Sequence, residues 1–446
     1  MKYIIPDINT VMGQVPIQET NHNEEQLIAQ GKLLTQLLDN FNVTAQVCSI
    51  SPGPVITRYE LKLGAGTKAN AVEKLATDLA MGLKAKSIRI VPITERAVIA
   101  VEIPNENPHI VYLRDILNSS QFMNDEGGLN VVLGCDITGQ PVITDIAKAP
   151  HMIVAGMTGS GKSICENVLL TSLLATKTPD ELRLILIDPK MVELSPYNSV
   201  PHLLTPVITD NIKAVKILDW VIKEMEKRYI KLSERGVRNI KNYNNKTDDK
   251  IPFIIVVIDE LADLMMTGNK NVEKQIVRIC QKSRAVGIHM ILATQRPEVK
   301  IISGTIKANI PSRIGFKTSS QIDSRVIMDK GRGGCENLLG KGDMLFQDVS
   351  DPDIKRIHGA FIDYEDVDKM VEACAQYPAE HIKFDDDIKI HIHGSNVVNT
   401  KLVNSAITLL DGGGSPSPIF FQRKLNISYV MAGKLIEELA KEGYIN

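Results

Sequence analysis

At 446 residues the chain is long enough for two or three domains and a large core, and its 43 % apolar and 23 % charged content is that of an ordinary globular protein. The start, Met1 to Asp7, is no signal peptide, and no run approaches the ~18 apolar residues of a membrane span. Six scattered cysteines (48, 135, 165, 280, 335, 374) show neither a Cys-x-x-Cys pair nor metal-ligand spacing, so they read as reduced thiols in a cytosolic setting. The expectation is a cytoplasmic protein with no membrane contact through this stretch of chain.

The net charge of −2 is unevenly spread. From Arg296 to Arg332 eight basic residues (296, 300, 307, 313, 317, 325, 330, 332) face three acidic ones (298, 323, 329), a local +5 that leaves −7 for the remainder. A charge run by itself is usually a solvated face. Beside a nucleotide site it suggests a polyanion as second ligand.

In chain order, Glu24–Phe41 carries apolar residues at helical spacing, followed by strand-like runs Val43–Ile50 and Val55–Leu63 around the turn Ser51-Pro52-Gly53-Pro54. A helix over Ala69–Leu83 and strands Ile88–Ile93 and Ala97–Ile103 complete an α+β module of residues 1–110, without a nucleotide motif.

Residues 130–385 alternate strands and helices, the pattern of a parallel sheet covered on both faces. Strands are expected at His151–Ala155, Leu182–Ile187, Phe253–Ile258, His289–Ala293, Ser312–Phe316 and Ile357–Ile362. Helices are expected at Ile164–Leu174, Asn211–Arg235 and Val272–Ala285; Trp220, the sole tryptophan, falls at a core spacing.

The polar linker 384–395 contains His391 and His393 beside Asp385-Asp386-Asp387, which reads as solvated linker rather than metal site. Residues 396–446 read as three helices, Thr400–Leu410, Pro418–Lys424 and Ser428–Glu442. The turn at Asn426-Ile427 fits a helix-turn-helix, and a three-helix protein-binding module fits the periodicity equally.

Residues Gly156, Met157, Thr158, Gly159, Ser160, Gly161, Lys162 and Ser163 form a complete Gly-x4-Gly-Lys-Ser phosphate loop. It follows the apolar run Met152–Ala155 and opens a helix, the context in which successive backbone N–H groups aim at phosphates. Lys162 would reach the β- and γ-phosphates of ATP, and the Ser163 hydroxyl would ligand Mg2+. Asp259-Glu260 ends a buried strand at the edge where parallel sheets meet ligands. Asp259 suits Mg2+ coordination and Glu260 the polarisation of attacking water. Gln295, in Thr294-Gln295-Arg296, ends the next strand, where it could sense a γ-phosphate, and Asp188-Pro189-Lys190 ends a third. Arg284 closes a helix on the surface, from which a guanidinium could enter a neighbouring site.

Gly156–Ser163, Leu186–Lys190, Tyr197–Leu204, Ile258–Met265, Ala293–Pro297, Ile306–Arg313 and Ile322–Arg325 together resemble the FtsK/SpoIIIE family of double-stranded DNA translocases. Ser51–Leu61 is similar to that family's α module, and Gly342–Phe346 and His358–Phe361 also fit. The resemblance implies a RecA-like P-loop ATPase forming a homohexameric ring around duplex DNA in chromosome segregation. By it Arg284 resembles a finger acting in trans. Arg296, Lys307 and Arg325 resemble pore-facing phosphate contacts, and a site-specific recombinase and division proteins are implied partners.

Family members usually carry a membrane-spanning N-terminal region and a long linker, and neither is in this sequence. The last region resembles the family's winged-helix γ domain, but Ser428-Tyr429-Val430-Met431-Ala432 replaces the usual Gly-Tyr-Asn-Arg-Ala. Arg423, Lys424 and Lys434 suit phosphates, while Val430 and Met431 cannot hydrogen-bond base edges as Asn and Arg do. A coupling ATPase of conjugation or secretion accommodates the phosphate loop but not the match at 51–61. A non-motor P-loop protein needs neither the basic stretch nor Arg284.

Overall fold

The computed structural model describes residues 3–16, 18, 23–123, 128–329, 334–349, 351, 353–379 and 381–382. Of the C-terminal segment it describes 406–407, 409–410, 417–425, 432, 435–436, 439–440 and 444. The chain divides into two compact units, Met1–Phe384 and Asp385–Asn446.

In the first unit, strands β1 (Ala45–Pro52), β2 (Ile56–Leu63), β3 (Arg89–Ile93) and β4 (Val98–Pro104) form an antiparallel sheet in the order β1-β2-β4-β3. The helix Glu24–Asn40, N-capped by the Asn23 carboxamide, packs Leu34 and Leu38 against Tyr59, Leu61 and Val101 of this sheet. The helix expected over 69–83 is broken in two, Ala69–Glu73 and Ala76–Gly82. Between them Leu75 N–H bonds Val72 O, three residues back, a turn too tight for the α-helix to run through.

The second sheet has nine strands among the described residues. These are β5 (Asn130–Asp136), β6 (Pro141–Asp145), β7 (His151–Ala155), β8 (Leu182–Ile187), β9 (Phe253–Ile258), β10 (Ile288–Thr294), β11 (Ser312–Phe316), β12 (Asp343–Gln347) and β13 (Ile354–Gly359). Their order is β6-β5-β13-β12-β11-β7-β10-β9-β8. The run β11-β7-β10-β9-β8 is parallel; β12, β13, β5 and β6 pair antiparallel. The parallel sheet expected from the alternation is therefore one half of a mixed sheet. Its β5, β6 and β12 were not anticipated, and β13 lies three residues earlier than the run 357–362.

Alternate residues of the parallel strands serve two cores. Met152 and Val154 face one side with Ile255, Val257 and the helix Lys162–Leu174. Ile153 and Ala155 face the other with Val256, Ile258 and the helices Asn211–Glu234 and Leu261–Lys282. Burial of both faces is why these strands are continuous apolar runs. Trp220 is partly buried against the second core.

The two sheets of this unit meet at a buried charge cluster. Glu102 of β4, 0 % exposed, accepts hydrogen bonds from Arg58 (2.7 Å), Arg89 (3.3 Å) and Arg356 of β13 (2.8 Å). Burial alone would raise its pKa, but Arg89, Arg356 and Arg58 outweigh it and hold the carboxyl at about 2. Arg356 also grips Asp343 of β12 with two bonds of 2.9 and 2.6 Å. Close backbone approach adds a second junction: a Cβ on Gly53 would lie 1.8 Å from the Ile137 carbonyl oxygen, so no larger residue fits this turn.

In the second unit the helix Pro418–Leu425 buries Phe421 with Ala406, Ala432, Leu435 and Leu439. Residues 406–407, 409–410, 432, 435–436 and 439–440 are helical, within the first and third of the expected helices. His391, His393, Val430, Met431 and Lys434 lie outside the described residues. Among those described, no helix is long and apolar enough to cross a membrane and no cluster of metal-ligating side chains occurs.

Four histidines of the first unit are buried, and burial lowers their pKa values, His151 to about 3 and His202, His289 and His358 to about 4. The unfolded chain binds their protons near pH 6.5 while the folded chain refuses them until about pH 4, so folding loses stability as pH falls through that window. Each engaged histidine contributes a slope of about 1.4 kcal/mol per pH unit. Urea unfolding at pH 7.5, 6 and 5 should show this decline. His358→Leu, at a side chain with no hydrogen bond to lose, should make it shallower.

Candidate active site

The phosphate loop leaves β7, which lies between β10 and β11 inside the parallel run. Gly159 and Gly161 hold left-handed backbones, φ 75° and 115°, which lets the loop reverse before the helix Lys162–Leu174 begins. A Cβ on Gly161 would sit 2.5 Å from Gly342 N, and one on Gly156 would sit 2.5 Å from Phe316 Cβ. The loop is fixed from outside by Met157 N–H to Lys317 O (2.9 Å) and Gly342 N–H to Ser160 O (2.9 Å).

Because β7, β10, β9 and β8 are parallel, the residues ending them gather at one edge. Lys162, 3 % exposed, donates to Asp259 Oδ1 (2.5 Å), to the Asp259 carbonyl (3.0 Å) and to both oxygens of Glu166 (3.3 and 3.2 Å). Burial opposes the ammonium, but Glu166 and Asp259 outweigh it and push the Lys162 pKa up. Glu260 is 1 % exposed and fully bonded. Oε1 accepts from Thr294 Oγ1 (2.6 Å) and from Ala262 N–H (3.3 Å), capping the helix Leu261–Lys282. Oε2 accepts from Lys190 Nζ (3.1 Å) and Gln295 N–H (3.2 Å). The Gln295 side-chain amide oxygen, Oε1, accepts from Thr158 Oγ1 of the phosphate loop (2.7 Å).

Two residues here, Glu166 and Glu193, went unrecognised in the sequence, and two more, Asp188 and Lys190, were recognised without their roles. Asp188, fully buried, accepts from the backbone N–H groups of Lys190, Met191, Val192, Glu193 and Leu194 at 3.0–3.1 Å. That cradle shapes the loop which delivers Lys190 to Glu260 and Glu193 to the Ser163 hydroxyl (2.7 Å). The Asp-Pro-Lys strand ending signalled the edge but not these contacts. Glu166 was hidden within a helical pattern, four residues after Lys162.

Hard oxygen donors suited to Mg2+ are present. Asp259 Oδ2 is buried without a hydrogen-bond partner, and Ser163 follows Lys162, the residue to which Asp259 Oδ1 is bonded. These residues fit the ion.

Arg284 lies elsewhere. It precedes β10, whereas Gln295 follows it, and seven strand residues rise about 23 Å. It is exposed and donates to Lys148 O (3.2 Å).

The basic stretch is only partly free. Arg313 is buried and bound, with Lys307 (2.9 Å), to Asp329, and Lys300 pairs with Glu298 (2.9 Å). Arg296 and Arg325 are exposed; Arg325 lines a cleft of about 970 Å³ with Arg58, Arg89 and Arg356. Lys330 and Arg332 lie outside the described residues. In the second unit Lys424 is exposed, and Arg423 belongs to the helix Pro418–Leu425.

Family models match at both ends of this architecture, the FtsK alpha domain over residues 5–105 and the FtsK/SpoIIIE family over 112–299. The DNA translocase FtsK of Haemophilus influenzae is 39 % identical over 477 residues, which cover 99 % of this chain and 90 % of that protein. The chain belongs to the FtsK/SpoIIIE family. Two further family members are the DNA translocase FtsK of Caldanaerobacter subterraneus subsp. tengcongensis, 43 % identical, and the DNA translocase SftA of Bacillus subtilis, 42 % identical. Both match across 100 % of this chain, which spans 63 % and 47 % of their lengths. Beyond the family, two solved structures share the fold at 24 % identity. The pCW3 conjugation coupling protein TcpA, in a monomer form with ATPγS, has a TM-score of 0.55 over 77 % of this chain and 99 % of its own. The cytoplasmic domain of the type VII secretion ATPase EccC of Thermomonospora curvata has 0.53 over 61 % and 35 %. The fold is that of a RecA-like P-loop ATPase.

The Asp188 cradle yields a prediction. Asp188→Ala strips five N–H groups of their acceptor and should cost about 3 kcal/mol or more in urea unfolding. Hydrogen–deuterium exchange should rise at 190–194 and stay unchanged in the helix Lys162–Leu174.

Proposed function

We propose that this chain is the motor region of an ATP-driven double-stranded DNA translocase, working as a ring of six with ATP bound between protomers during chromosome segregation and cell division. The carrying observation is a complete phosphate-loop site within a chain similar, end to end, to proteins named DNA translocase.

The amides of 156–163 and the helix N-terminus receive the phosphates, and Lys162 turns from its carboxylates to the β- and γ-oxygens. Ser163 and Asp259 would hold Mg2+, which when bound neutralises charge on the phosphates. Glu260 orients and polarises the attacking water, set in place by Thr294 and Lys190. Thr158 and Gln295 join the loop that grips the phosphates to the strand end beside Glu260, which supports Gln295 as the sensor of γ-phosphate. Arg284, about 23 Å along β10 from its own Gln295, is out of reach of its own site and serves a neighbour's.

Arg296 and Arg325 contact DNA phosphates, and Lys307 joins them after exchanging Asp329 for phosphate. Such contacts read charge rather than sequence, which suits a motor that passes any duplex. Arg423, Lys424 and Lys434 give the last domain weak duplex binding. Recombinase and division proteins are the partners that family membership suggests.

Duplex DNA should stimulate ATP hydrolysis by the full chain. Failure of DNA to stimulate an ATPase that is otherwise active would overturn the motor reading. Lys162→Ala should abolish turnover. Glu260→Gln should retain nucleotide binding and lose about 10²-fold or more in rate, because an amide cannot accept the water's proton.

Mixing inactive Arg284→Ala with inactive Lys162→Ala protein should restore turnover, since some interfaces then pair an intact loop with an intact arginine. Mixed rings, verified by pull-down, that recover no activity would refute action in trans.

A further inference from the structure

Glu166 is a carboxylate for which the proposed chemistry has no use. It lies on the helix Lys162–Leu174 among the core residues Cys165, Val168 and Leu169, and is 1 % exposed. Packing would be served by an apolar side chain, and burying a carboxylate is costly unless it is paired. Its partner is Lys162, one turn earlier, at 3.2 and 3.3 Å. A Lys-to-Glu order at i,i+4 is the less favourable one for helix stability, so the pair is poorly explained as a helix staple.

The ammonium has three donors, and four acceptors crowd it: Asp259 Oδ1, the Asp259 carbonyl and both Glu166 oxygens. One cation thus faces two carboxylates in a buried setting. For Lys162 to serve a phosphate, at least one of these contacts must be surrendered. The Asp259 contacts come from the strand end that shapes the site. The Glu166 contact comes from Lys162's own helix; burial and the neighbouring Asp259 already push the Glu166 pKa well up against the pull of Lys162, so giving up that contact removes the one cation that stabilises its charged form.

We propose that Glu166 is a positioning residue that competes with the nucleotide phosphates for Lys162 and so sets a weak, readily reversible nucleotide affinity. This inference rests on the nucleotide-site reading above. Its consequence is opposite in sign to that of structural damage: neutralising Glu166 tightens binding instead of weakening it.

The test is equilibrium titration of the full chain with the fluorescent analogue mant-ADP in the presence of Mg2+, for wild type, Glu166→Gln, Glu166→Met and Lys162→Ala. Glu166→Gln keeps the shape and removes the charge; Glu166→Met fills the site with an apolar chain should the amide unsettle the fold. Each of the two that retains a cooperative thermal melt should bind at least fivefold more tightly than wild type, and KM for ATP should fall in parallel. A Kd equal to or weaker than wild type in a folded Glu166 variant would overturn the role of Glu166 while leaving the nucleotide site standing. Absence of saturable binding by wild type, or unchanged binding by Lys162→Ala, would overturn the nucleotide-site reading and this inference with it.

Discussion

Parallel pairing of β7, β10 and β9 is the constraint on which the site depends. Parallel strands must all return over the sheet's faces, so their C-terminal ends converge on one edge and their N-terminal ends on the other. The phosphate loop, Gln295 and the Asp259-Glu260 pair thereby become neighbours although nearly 140 residues of chain separate the first from the last. The same geometry sends Arg284 to the opposite edge.

Charge burial then tightens the edge. Lys162, Glu166, Asp259 and Glu260 are each nearly inaccessible, and every one is paired within the cluster or against Lys190 and Thr294. Such groups are expensive to leave alone, so each fixes its neighbour's position. Asp188 extends this outward by ordering a loop through backbone amides alone, with no packing core of its own beneath Met191 and Val192, which stay exposed.

The sequence was legible where one local rule decided the outcome. Strands buried on both faces, such as Ile254–Ile258, read directly as apolar runs, and the phosphate loop carries its own spacing. β5 and β6 were missed because their hairpin turns at Asp136–Gly139, within a stretch whose alternation is interrupted by a bulge between Val132 and Gly134. The helix Leu261–Lys282 begins eleven residues before the expected Val272, because Gly268-Asn269 resembles a break and the cap is Glu260, already read as catalytic. The basic stretch misled in part: Arg313 counts as a charge in sequence but is folded under Asp329. Lys190 on Glu260 and Glu193 on Ser163 depend on a loop path that spacing does not encode, while Glu166 on Lys162 is an i,i+4 pair that spacing permits but does not single out.

The junction of the two sheets in the first unit has a mechanical meaning. Ser160 of the phosphate loop is bonded to Gly342, whose chain neighbour Asp343 grips Arg356, which in turn grips Glu102 in the N-terminal sheet. Four links, one of them a peptide bond, thus gear the nucleotide-facing loop to a module that has no nucleotide motif. Gly161 and Gly342 leave no slack at the first tooth, since even one methyl group would not fit between them. The phosphate loop and the N-terminal sheet are thereby joined by close-packed, charge-locked contacts, so neither has room to shift far without straining the other.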